Sequence, residues 1–151
     1  MHELHHVGFM AYSPPPRVGA LKTCEDVLRL VNYSTALEGM AVLAARDRRA
    51  SEGALSGDDD YVALGDEARM ARDEALYFQE YDALKKRGRE PADADAMAVI
   101  QRMSGGERLW YRVGARMAAA VERQLGRPAM VALVTRSPDR LVPAYGRLAA
   151  R

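Results

Sequence analysis

All three histidines of this 151-residue chain lie in its first six residues, Met1-His2-Glu3-Leu4-His5-His6. His2, Glu3 and His6 spell H-E-x-x-H. On a helix, residues four apart rise about 6 Å and share a face, so two imidazoles at this spacing reach one metal ion. Zinc suits that donor pair, and the glutamate beside the first ligand stands where a general base takes a proton from attacking water. His5 is offset by one position and flanks the site. A purification-tag remnant or a solvated histidine cluster is the bland alternative. A tag is usually an unbroken run, whereas Glu3 and Leu4 interrupt this one and Val7-Gly8-Phe9 continues it as apolar sequence.

A catalytic zinc ion needs a third protein ligand and an open position for water. No further histidine exists and Cys24 is the wrong type for most peptidases, so a carboxylate is expected. Glu38 is the leading choice. It stands in the apolar stretch Tyr33-Ser34-Thr35-Ala36-Leu37-Glu38-Gly39-Met40-Ala41, where an unpaired carboxylate is costly. Gly39 and Ala41 would let this helix approach the first one closely. The alternatives are a half-exposed Glu38 paired with an arginine, or Glu25 as the ligand, although a helix N-terminus would also account for Glu25.

Glu38-Gly39-Met40-Ala41 reads as E-G-x-A, 32 positions after His6, and Tyr111-Arg112-Val113-Gly114 reads as Y-x-x-G. This ordered set resembles the gluzincin type of zinc metallopeptidase. It is most similar to bacterial zinc-dependent peptidases with H-E-x-H-H and E-G-x-A helices. The resemblance implies zinc held by His2, His6 and Glu38, Glu3 as general base, Tyr111 as donor to the oxyanion, and a peptide or protein substrate. Tyr111 also reads as a core or interface aromatic beside Trp110. Such enzymes have apolar turns and a sheet upstream of the motif helix. Because Met1 comes directly before the motif, the chain is expected to be a truncated member in which Met1 is an internal methionine of a longer parent.

The elements that must position these residues read as helices. Thr23 with Glu25 and Asp26 is a start signal, continued by Val27, Leu28, Leu30 and Val31. Apolar residues recur at helical spacing over 34–49, closed by Arg46, Arg48 and Arg49 at the negative end of the dipole. Those arginines read as a solvated helix end or, less simply, as contacts to a substrate carboxylate. Residues 51–60 read as a loop, and Asp58-Asp59-Asp60 lacks the spacing of a calcium loop. Further helices are expected over 67–86, 92–103 and 107–125, then after Pro128 and Ser137-Pro138. Pro143 should shorten or bend the last segment. A short strand near Tyr61 to Leu64 is the one exception. The expected architecture is one mainly α domain over residues 1–151, resembling the helical part of a zincin peptidase with its upstream sheet missing.

Composition excludes several other classes. The 22 basic and 21 acidic residues leave a charge of +1, which gives no general attraction to nucleic acid. No apolar run approaches the ~20 residues of a membrane span. One cysteine rules out an intrachain disulfide and a cysteine-rich zinc knuckle. Two rivals to a peptidase remain: a helical binding or scaffold domain with a vestigial metal site, and a structural zinc site closed by Glu25, His5 or Cys24.

Overall fold

Thr23 begins the longest element through a reciprocal cap. The Asp26 backbone N–H donates to Thr23 Oγ1 (3.2 Å), and the Thr23 N–H donates to Asp26 Oδ2 (2.9 Å). Two of the orphan donors at the helix start are thereby satisfied. The Thr23 hydroxyl, then the Lys22 and Thr23 amides, hold the Asp26 carboxyl below its usual pKa. From this cap helix α2 runs unbroken over Cys24–Ser51, so the two expected helical stretches are one helix. Its buried residues include Val27, Val31, Ala36, Met40 and Ala41, on all sides of its axis, as befits a central helix.

The computed structural model describes residues 2–55 and 57–149, which form a mainly helical single domain. Its other helices are α1 (His2–Tyr12), α3 (Asp59–Leu64), α4 (Glu67–Arg87), α5 (Ala94–Ser104), α6 (Leu109–Leu125), α7 (Arg127–Arg136) and α8 (Leu141–Ala149). No strand occurs among the described residues; an isolated bridge joins Thr23 to Pro91. Asp58, Asp66 and Asp93 cap α3, α4 and α5 by accepting from backbone amides.

Two expectations are corrected. Tyr61 to Leu64 is helical, because Asp58 caps a turn whose Tyr61 and Ala63 face the core. Pro143 does not end α8, since it occupies the first turn, where its missing N–H leaves no hydrogen bond unmade.

Helix α2 packs most extensively on α6. At the crossing Gly39 meets Gly114: a Cβ built on Gly39 would come within 2.7 Å of the Ala115 nitrogen, and closer still to the Gly114 backbone. A Cβ on Gly114 would collide with the Thr35 carbonyl oxygen. The close approach that Gly39 permits is therefore to α6, not to the first helix. Nearby, Thr35 Oγ1 and Tyr77 Oη share a buried 2.8 Å hydrogen bond that ties α2 to α4.

Helix α1 lies on α2 and α7, held differently. Phe9 is its buried side chain, edge-on to Tyr33 with centroids 5.6 Å apart. Beyond its C-terminus, Tyr33 Oη donates to the Ser13 carbonyl (2.7 Å) and Ser13 Oγ donates to the Val134 carbonyl (2.8 Å). The triple proline of residues 14–16 then leads away as irregular chain.

Gly39→Ala is expected to destabilise the fold by about 1–3 kcal/mol or more, the usual range for overpacking, because the obstacle is backbone. Gly8→Ala, in open space within α1, should be neutral or stabilising by up to about 1 kcal/mol. Urea unfolding of the two variants checks this contrast. A second expectation concerns acid. Because the folded pKa of Asp26 is depressed, its contribution is complete above the ordinary carboxyl range and is lost as pH falls through the lowered value. Asp26→Asn should therefore lose less melting temperature between pH 7 and pH 3 than the parent does.

Candidate metal centre

Helix α1 presents His2 and His6 on one face, one turn apart, toward Glu38 of α2. His2 Nε2 is 3.1 Å from Glu38 Oε2, and His6 Nε2 is 3.0 Å from the same oxygen. The two imidazoles meet edge to face, with centroids 4.5 Å apart. One ligand atom from each of the three residues lies within 4.8 Å of the others, the only such group of histidine, cysteine and acidic residues among the described residues. Glu38 and His6 are 15% exposed at the side chain and His2 29%, so the site is shielded but reachable.

This donor set fits zinc. Ligands about 2.0–2.1 Å from a tetrahedral centre stand roughly 3.3 Å apart, close to the observed nitrogen-to-oxygen separations. Two neutral imidazoles and one carboxylate also leave a fourth position for water or substrate. No arginine pairs with Glu38 among the described residues; its partners are the two histidines.

Glu3 lies on the outer side of the same turn. Its side chain is 89% exposed, with Oε2 3.7 Å from His6 Nδ1. Tyr111 reaches the group from α6, its ring stacked near His2 with centroids 6.5 Å apart. Arg108 holds that ring. Its guanidinium lies 3.9 Å from the Tyr111 centroid and donates to buried Asp60, from Nε to Oδ2 at 2.9 Å. Arg108 is also the sole non-glycine residue with positive φ (51°) among the described residues, and it stands at the N-cap of α6. An arginine in this left-handed conformation costs roughly 1–2 kcal/mol, offset here by its contacts with Asp60 and Tyr111.

The remaining sequence candidates lie elsewhere. His5 turns to another side of α1 and lines an apolar cavity of about 310 Å³ with Tyr12, Met40, Met130 and Val131. Burial, reinforced by His6, His2 and Arg127, lowers its pKa to about 4, so it is neutral at pH 7. Glu25 faces Arg89 (3.7 Å) in the first turn of α2. Cys24 is fully buried, and its thiol points to the Pro91 carbonyl (3.7 Å). None of the three joins the His2–His6–Glu38 group. Asp58, Asp59 and Asp60 serve as a helix cap and as partners of Arg69 and Arg108.

Sequence reasoning did not single out Arg108 or Arg112. Arg112 is 1% exposed, and its Nε stands 3.1 Å from Asp73 Oδ2, joining α6 to α4. Burial raises the Asp73 pKa against the pull of Arg112. Arginine is ordinarily a surface residue, and nothing local in Tyr111-Arg112-Val113-Gly114 announces that this one is inside.

The profile of one family, DUF5700, described as "Putative zinc dependent peptidase", matches residues 1–151. The chain belongs to that family. Comparisons with curated proteins and with solved structures found no match.

Proposed function

We propose that the protein is a zinc-dependent metallopeptidase of the gluzincin type, with His2, His6 and Glu38 as its metal ligands. The observation that carries this reading is the convergence of two imidazole nitrogens on one Glu38 oxygen, at 3.1 and 3.0 Å. Membership of a family described as "Putative zinc dependent peptidase" supports the choice of metal and substrate class.

Zinc held by His2, His6 and Glu38 would supply Lewis acidity toward the scissile carbonyl and the attacking water. Every other task falls to the chain. Glu38 carries the ligand charge that offsets the ion. Glu3, on the exposed side of the turn that presents both histidines, accepts the proton of the attacking water and hands it to the leaving amine. Tyr111 donates its phenolic hydrogen to the oxygen that becomes negative, and Arg108 keeps the ring from turning away. No helix of the described residues is long and apolar enough to cross a membrane.

The test is hydrolysis of unfolded casein by zinc-loaded protein. Glu3→Gln should reduce turnover by about 10²–10⁴-fold with the metal retained, the usual contribution of a general base. Tyr111→Phe should reduce kcat by about 10²–10³-fold and change KM little, as expected for loss of one oxyanion donor. A metal-loaded Glu3→Gln protein at the parent rate would contradict the base assignment. No hydrolysis by any zinc-loaded form would favour the scaffold reading.

A further inference from the structure

A cavity of about 590 Å³ lies away from the histidines, between α2, α4, α6 and α8. Arg46 stands on its wall eight residues along α2 from Glu38, about 12 Å at the helical rise. Three arginines and one glutamate line it: Arg46, Arg116, Arg123 and Glu67. The glutamate is already committed, since Arg116 grips both Glu67 oxygens at 2.9 and 2.6 Å. Arg116 also reaches Glu74 (3.2 Å). Arg46 and Arg123 have no carboxylate within 4.0 Å among the described residues.

Helix dipoles account for only part of this. Arg123 is in the last turn of α6, where a cation is favoured. Arg46 is not: the basic residues of the last turn of α2 are Arg48 and Arg49, of which Arg48 pairs with Glu52 and Arg49 lies over the Tyr61 ring. The Arg46 Nε atom is buried and has no hydrogen-bond partner among the described residues. A buried charged donor left so is costly, and an anion beside it removes the cost. Leu43, Met70 and Leu148 supply apolar wall to the same cavity.

We propose that this cavity is a second binding site, for a ligand with a carboxylate head and an apolar body, held by Arg46 and Arg123. Two sources share that chemistry: a fatty acid, and the free C-terminus of a peptide ending in an apolar residue. A planar carboxylate suits the guanidinium fork, and the cavity size is that of ordinary small-ligand sites. The site is independent of the metal centre and requires no turnover.

The test is calorimetric titration of the full chain with decanoate and with acetyl-Leu-Leu, each against its neutral amide. At least one carboxylate should bind, its amide at least tenfold more weakly. Arg46→Gln and Arg123→Gln should each weaken binding at least tenfold, while His6→Ala leaves it unchanged. Binding of decanoate alone identifies the fatty acid, and binding of acetyl-Leu-Leu alone the peptide terminus. Arg123 is exposed, so its substitution spares the fold; Arg46→Lys, which keeps the charge and loses the fork, replaces Arg46→Gln if that variant fails to fold. The proposal is overturned if neither carboxylate binds, if the amides bind equally, or if the arginine variants bind like the parent. Loss of binding in His6→Ala would place the ligand at the metal centre and overturn it too.

Discussion

Two helix backbones can touch only where neither residue at the crossing carries a side chain, and in this fold that place is Gly39 against Gly114. Glu38 immediately precedes the first glycine, and Tyr111 stands three residues, nearly one turn, before the second. The contact therefore sets the distance between the carboxylate that faces the histidines and the phenol beside them. Separating the two helices by the width of a methyl group would shift one relative to the other. The buried Arg112–Asp73 pair, and the pair that exposed Arg108 makes with buried Asp60, extend the same control, fixing α6 to α4 and α3 on either side of Tyr111. Breaking such a pair strands a buried charge, so these contacts hold their geometry firmly even where their net contribution to stability is modest.

Helix α1 is attached on different terms. One buried phenylalanine, two hydrogen bonds through Ser13 and the histidine contacts to Glu38 hold it, while Leu4 and Val7 remain largely exposed. Under the zinc reading, the metal would join α1 to α2 as well as serve chemistry, because ligands drawn from two helices bind only when those helices are docked. Binding free energy then becomes docking free energy, and metal affinity and the stability of α1 rise or fall together.

Much of this was legible in the sequence because the controlling signals are local. Helical periodicity and the Thr23 and aspartate caps act within a few residues of themselves, and so did the H-E-x-x-H spacing. The helical fold class follows from them directly. Glu38 stood out by cost, as a carboxylate in an apolar stretch, and in the structure its partners are the two histidines. What could not be read depends on distant partners. Gly39 looked suited to approaching α1, but its partner is a glycine on α6, 75 positions later. Tyr61 to Leu64 is too short for its apolar pattern to separate strand from helix, and the Asp58 cap settles it. Arg108 and Arg112 are single arginines in a chain rich in them, marked only by the buried aspartates they meet.

The central claim is that three side chains from two helices form one metal site, and zinc stoichiometry on metal-replete, desalted protein tests it most directly. The account predicts one zinc per chain in the parent and none in either His6→Ala or Glu38→Ala, with both variants still helical by circular dichroism. Parent protein that retains no zinc, or a Glu38→Ala variant that binds it as tightly as the parent, would contradict the account.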